Sequence, residues 1–413
     1  MKYLSSLALA LSATFLIANS AQVAASNDIM ITSGGQGRHS TIRDIISGRK
    51  VRSHSHKRHS SKHNDTKEVQ RSLSDQSEAE VLEDRANHKA HSTKKSSSNG
   101  YKLVKSYSGK TFFDDMYFFT GSDPTKGMVQ YVSKSVAQNA GLIGTKNGNA
   151  YMAISPKGGS SHKSIRISTQ DTFTGGIFVL NAVHMPTGCG VWPAFWSTPE
   201  DPSGGWPNGG EIDVIEGVHD FSRNMYSIHT TSGCRIVESA LDMLGKLAMG
   251  SSSQATNCDA EATNDQGCAV QSQANGDYGV AFNNNGGGTH VLVWDSSDGI
   301  SSYFFKKGSV PDDITSGNPD PSSWGKPKAM WPASKCNPDD YFWNHVAVFS
   351  NTLCGTWAGS SSVWSNAMSG QSQSCAKSTG ASSCYEYISG SPDLSEAYWE
   401  IESLKIYQTS RRK

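Results

Sequence analysis

The chain has 413 residues, of which 18% are charged and 36% hydrophobic, with 40 glycines and 10 tryptophans. That length holds one large domain or two ordinary ones, and the mix suits a β-rich exported domain rather than a helical bundle. The formal net charge of zero hides two unlike parts: residues 27–100 carry 14 Lys/Arg against 9 Asp/Glu, and residues 101–413 carry 22 against 28, a mild acidity that argues against a nucleic-acid partner.

In chain order, residues 1–25 read as a secretory leader. Lys2 gives the positive start, Leu4 to Ile17 is apolar, and Val23 and Ala25 (or Ala18 and Ser20) are small enough for cleavage. The apolar run is shorter than the ~20 residues of a membrane span. No second such run follows, and the end, Thr409-Ser-Arg-Arg-Lys413, lacks a lipid-anchor tail. The expected location is therefore extracellular or cell wall, without a membrane anchor.

Residues 26–100 contain no aromatic side chain, and seven of the 13 histidines fall there. Such a segment cannot bury enough apolar area to offset its ordering entropy. It is read as a disordered pro-segment or linker rich in Ser, His and basic residues. Lys57-Arg58 and Lys94-Lys95 are weak processing signals. Asn64-Asp-Thr66 is the one glycosylation sequon in the sequence.

The domain expected over residues 101–413 is different. Short β-favouring runs alternate with Gly/Asn/Ser/Pro clusters: Ile177–Leu180, Ile212–Ile215, Met225–Thr230, His290–Trp294, Ser302–Phe305, His345–Phe349 and Tyr398–Tyr407. This pattern predicts an all-β sandwich of two antiparallel sheets, a jelly roll. Glu238–Leu247 is the one stretch that reads as a short helix. All eight cysteines lie between Cys189 and Cys384, without a CxxC pair, which favours disulfides over metal ligation. Eight cysteines allow 105 pairings, so no partners are assigned.

Glu211-Ile-Asp-Val-Ile-Glu216 is the most informative segment. Side chains alternate along a strand, so Glu211 and Asp213 share one face and Ile212 and Val214 the other. Strict alternation would turn Glu216 inward. A bulge at Val214-Ile215 restores it to the acidic face. An ordinary solvated strand relieves like charges with cations opposite, yet no Lys or Arg occurs between Asp201 and Ser222. Grouped carboxylates without cations point to pKa control. Glycoside hydrolysis needs such a set: one carboxylate attacks the anomeric carbon while a protonated partner donates to the leaving oxygen.

With its neighbourhood, the segment resembles glycoside hydrolase family 16, whose pattern is E-x-D-x-x-E. Gly188-Cys-Gly-Val-Trp-Pro-Ala-Phe-Trp196, Gly205-Trp-Pro-Asn-Gly-Gly-Glu211, Phe118–Thr125, Ser227–Cys234 and Leu353–Gly359 match in the expected order over about 240 residues. The resemblance is to the secreted fungal laminarinase-like branch, the endo-1,3(4)-β-glucanases. It implies a jelly roll with a glucan cleft on its concave sheet, Glu211 as nucleophile, Glu216 as general acid/base, and Asp213 tuning the nucleophile. It implies a retaining mechanism on β-1,3 or mixed β-1,3/1,4 glucan. His219-Asp220 departs from the Asn usual after Gly217-Val218, which leaves loop detail open. The two-residue spacing Val214-Ile215 is the bulged glucanase form; a shorter form occurs in several transglycosylases.

Trp206, five residues before Glu211 in a Gly/Pro-rich loop, is a candidate sugar platform. Trp196 and Trp357 carry over from motif positions, and Trp192 suits cleft or core equally. His229, on a strand expected to pair with the acidic one, and Arg166, between Ile165 and Ile167, resemble cleft positions. The partner expected is a β-glucan polysaccharide, with the protein acting as a monomer. No redox or organic cofactor is needed, no metal is expected, and no clean pattern supports the structural Ca²⁺ of some relatives. Two other readings stand beside hydrolysis. One is a glucan-binding jelly roll without catalysis, against which the intact trio argues. The other is a cell-wall transglycosylase using the same covalent intermediate.

Overall fold

Every run singled out above for β structure is a strand in the computed structural model, which describes residues 100–200, 202–248 and 253–410. The expected leader and almost all of the Ser/His-rich segment lie outside the described residues. The first strand is Tyr101–Ser108.

Two large, mainly antiparallel sheets of eight strands each make up a jelly-roll sandwich. The acid-bearing sheet runs, in spatial order, Lys246–Leu247, Cys268–Gln271, Met225–His229, Glu211–Glu216, Val191–Pro199, His345–Leu353, Arg166–Thr169 and Met116–Phe118. The opposite sheet runs Ala329–Pro332, Gly299–Lys306, Gly288–Asp295, Gly176–His184, Tyr398–Thr409, Asn149–Ala153 and Ile143–Lys146, with Tyr101–Ser108 also beside Tyr398–Thr409. Glu211–Glu216 thus sits near the middle of its sheet, paired on both sides.

Alternation decides which side chains fill the space between the sheets. Phe178, Leu180 and Ala182 point into the shared core with Ile212, Phe195 and Phe349. Ile177 and Val179 point the other way and pack beneath Ile314, Trp324 and Tyr407. The opposite sheet is therefore covered on both faces, which is why Ile177–Leu180 reads as an unbroken apolar run.

In the acidic strand, Ile212, Val214 and Ile215 are all buried in that core. Two successive inward residues require a bulge. The register shifts between Asp213 and Glu216 against one neighbour and between Asp213 and Ile215 against the other. Each apolar side chain so buried is worth roughly 1.5–3 kcal/mol, so a slip exposing all three would lose several kcal/mol.

All eight cysteines are bridged: Cys189–Cys375, Cys234–Cys336, Cys258–Cys268 and Cys354–Cys384. The stretch Glu238–Leu247 corrects the helix reading. Only Glu238–Ala240 forms a 3-10 turn, and Lys246–Leu247 is an edge strand. The peptide N–H groups of Leu244 and Gly245 donate to Pro327 and Lys328 carbonyls, so tertiary pairing overrides local helix preference. No described helix is long and apolar enough to cross a membrane.

Candidate active site

Opposite Glu211, the neighbouring strand places His229; opposite Asp213 it places Ser227. Two strands therefore project four polar side chains from one face. Ser227 Oγ donates to Asp213 Oδ2 at 2.6 Å, and His229 Nε2 lies 3.1 Å from the same oxygen and 3.9 Å from Glu211 Oε1. Asp213 is 3% exposed and His229 7%. Gly267 lies against the far side of His229, where a Cβ would come within 2.9 Å of Nδ1, so the backbone itself braces the ring.

Each glutamate takes a hydrogen bond from an indole. Trp206 Nε1 donates to Glu211 Oε2 at 2.9 Å, and Trp192 Nε1 donates to Glu216 Oε1 at 3.0 Å. These single neutral donors do not offset burial. Burial first, then the Asp213 charge, pushes Glu211 up to about 7 and Glu216 up to about 8. The two differ in their other neighbours. Arg166 also favours the anion at Glu211, while the repulsion between the two glutamates acts on both alike. Arg166 therefore biases the pair toward an anion at Glu211 rather than at Glu216. Burial alone would lower the His229 imidazole, but the Asp213 hydrogen bond and the surrounding carboxylates raise it to about 9.

Paired carboxylates with separated protonation states are the requirement of retaining glycoside hydrolysis. The comparison with known sequences agrees: the profile of the XgeA-like, catalytic GH16 domain matches residues 116–407. The chain belongs to glycoside hydrolase family 16. A probable glycosidase of Schizosaccharomyces pombe is 41% identical over 313 residues, covering 75% of this GH16 chain and 69% of its own length. An endo-1,3(4)-beta-glucanase of Arthroderma benhamiae is 36% identical over 317 residues, and the match spans 65% of that protein. This chain thus spans less than two thirds of the A. benhamiae protein. Among solved structures, laminarinase 16A of Phanerochaete chrysosporium, holding 6-O-glucosyl-laminaritriose in donor and acceptor sites, aligns with a TM-score of 0.64 at 32% identity, covering 75% of this chain and 99% of that one. An elongating GH family 16 β-1,3-glucosyltransferase aligns with a TM-score of 0.64 at 34% identity, covering 75% of this chain and 100% of that one.

Within this GH16 site the remaining sequence-predicted residues separate. Arg166 faces away from Ile165 and Ile167, which are core, and its guanidinium lies 4.8 Å from the Phe119 ring centre and 4.9 Å from that of Trp196. Trp196 is opposite Asp213 in the ladder and donates through Nε1 to Ser350 Oγ at 3.1 Å. Trp206 is 42% exposed and tilts over His229, ring centres 5.9 Å apart. Trp357 packs edge-on against Trp192 and Phe221, half-buried on the core.

His219 is a structural histidine. Wholly buried, it accepts from the Gly190 N–H at 3.0 Å, and burial lowers it to about 4. Its left-handed backbone, φ 60°, fits the unusual residue into this loop. Ser227 is the site residue that the sequence reading passed over. Its position two before His229 puts both on one strand face, which was the available signal. Glu211, Asp213 and His229 bring ligand-type atoms within 4.8 Å of one another. Asp213 Oδ2 and His229 Nε2 are, however, committed to each other. The second such group, Cys189, Asp220 and Cys375, has its two sulfurs joined in a disulfide.

Proposed function

We propose that this GH16 chain is a secreted endo-β-glucanase that cleaves internal β-1,3, or mixed β-1,3/1,4, glucosidic bonds with retention of configuration. The observation that carries the reading is the pair of glutamates on one strand face, each with one indole donor, flanking an aspartate held by Ser227 and His229. Glu211 attacks the anomeric carbon while Glu216 delivers its proton to the leaving glycosidic oxygen. Glu216, now the base, takes a proton from the water that releases the glycosyl group from Glu211. Asp213, next to both, raises Glu216 and so helps hold its proton in place before attack. Trp206, beside Glu211, offers a ring face to glucose, and Arg166 with Trp196 lines the same face of the sheet.

The relatives named as endo-1,3(4)-beta-glucanases and the laminarinase with bound β-glucan support the substrate class. The four disulfides and the apolar leader support export. Residues 26–100 are proposed to be dispensable for catalysis, and their removal should leave activity on laminarin intact. The elongating β-1,3-glucosyltransferase favours a second reading, in which a sugar hydroxyl replaces water in the second step. Product analysis on laminarin and mixed-linkage glucan separates the two. Hydrolysis gives shorter oligosaccharides only, with the β-anomer first by NMR; transfer gives products longer than the substrate. An α-anomer appearing first would refute retention.

A further inference from the structure

A bulge strands the peptide groups that its partner strand no longer reaches, and buried peptide groups without partners are costly. Asp213 faces Ser227 and Glu216 faces Met225, so two residues, Val214 and Ile215, span the stretch that only Tyr226 spans on the neighbouring strand. One side chain fills this gap. Asn224 Oδ1 accepts from the Glu216 N–H at 3.0 Å, and its Nδ2 donates to the Val214 carbonyl at 2.8 Å. Asn224 is wholly buried, and a second layer fixes it in turn. Its N–H donates to Asp277 Oδ1 at 3.1 Å, its carbonyl accepts from the Ser272 N–H at 2.9 Å, and Tyr226 donates its hydroxyl to Asp277 Oδ2 at 3.3 Å. Asp277 is itself 1% exposed.

We propose that Asn224 is the positioning residue for Glu216: its amide replaces the interrupted ladder and thereby sets the side of the sheet, and the depth, at which the Glu216 carboxyl emerges. The inference rests on the reading of Glu216 as acid/base. The task needs a donor and an acceptor on one short planar group. Aspartate lacks the donor, leucine lacks both, and glutamine is one methylene too long for a wholly buried site. Asn224 bonds the backbone of Val214 and Glu216 and neither glutamate carboxyl, so it acts by placing the strand that carries Glu216. A displacement of about 1 Å at a catalytic group costs on the order of 10²-fold in rate.

The test compares wild type, Glu216→Ala, Asn224→Leu and Asn224→Asp in the full chain. Substrates are laminarin and 2,4-dinitrophenyl β-laminaribioside, each with and without azide. The dinitrophenolate leaves without a proton. Azide then attacks the anomeric carbon, displaces the Glu211 carboxylate without a base and gives a β-glycosyl azide. Azide therefore rescues a missing or misplaced acid/base and does not rescue damage elsewhere. The expected result is a fall in kcat on laminarin on the order of 10²-fold for both Asn224 variants, little change in KM, and β-glycosyl azide as the rescued product, as with Glu216→Ala. Wild-type kcat in the Asn224 variants overturns the proposal. So does lost activity without azide product where Glu216→Ala yields it. Absence of azide product from Glu216→Ala itself overturns the acid/base reading instead. Should Asn224→Leu fail to fold, Asn224→Asp, which matches asparagine in size, decides.

Discussion

Two glutamates, one on each sheet, are treated in opposite ways. Glu400, on the sheet facing away from the acids, is 3% exposed and accepts from Asn147 Nδ2 at 3.2 Å and Asn149 Nδ2 at 2.9 Å, with Lys146 at 3.9 Å. Glu211, its side chain 16% exposed, is less deeply set, yet it receives one indole N–H and sits beside Asp213 on the same strand face. One carboxylate accepts two amide hydrogen bonds beside a lysine and holds a loop to a strand. The other is left short of donors beside a like charge. Under-bonding beside a like charge distinguishes a reactive acid from a structural one, because a poorly solvated carboxylate keeps a raised pKa and a free lone pair.

Exchanging the two should break the comparison most sharply. Glu211→Gln is expected to lower kcat on laminarin by on the order of 10⁴-fold or more, as removal of a covalent nucleophile does, with the fold intact by circular dichroism. Asp213→Asn comes next. Loss of the central charge lets both glutamates ionise at lower pH, so the pH–rate profile shifts to acid and kcat falls on the order of 10²-fold. Trp206→Phe keeps a ring but removes the donor to Glu211. That hydrogen bond favours the anion, so the acidic limb of kcat/KM should move up and activity fall a few-fold, read from a pH–rate series. Glu400→Leu, at the other pole, should leave kcat/KM near wild type. It should lower stability by about 1–2 kcal/mol, because two amide donors lose their acceptor, a change visible in denaturant unfolding.

The same contrast carries a pH signature in stability. Glu211 and Glu216 have folded-state pKa values above their unfolded value of 4.5, so the folded protein binds more protons than the unfolded chain from there up to about 8. His229, raised from 6.5 to about 9, adds protons in the same sense. Stability should therefore fall as pH rises from 5 to 9. Glu216→Gln should flatten the lower part of that slope in a Tm-versus-pH series; an unchanged slope would show that the Glu216 carboxyl is not held protonated by its surroundings.

The sequence carried the strands, the sandwich and the acid trio, because alternation and turn residues are local signals. It also carried the bulge, since three acids can share a face of Glu211–Glu216 only if Val214 and Ile215 both turn inward. What it left open depends on contacts between distant segments. The donors to Asp213 and Glu216, Ser227 and Trp192, come from two different neighbouring strands, so their own runs suggest a face or a motif position but not the carboxylate each one meets. The Glu238–Leu247 stretch has a helical composition, yet pairing with Pro327 and Lys328 holds it extended. The pairing of eight cysteines is likewise a product of topology.

Trapping of the glycosyl-enzyme tests the central claim most directly. Full-length protein treated with 2-deoxy-2-fluoro-β-laminaribiosyl fluoride, digested and mapped by mass spectrometry, should carry one fluoroglycosyl group on the peptide containing Glu211, with fragmentation placing it on that side chain. Attachment at Glu216, or turnover of the reagent to the α-anomer without any adduct, would contradict the account.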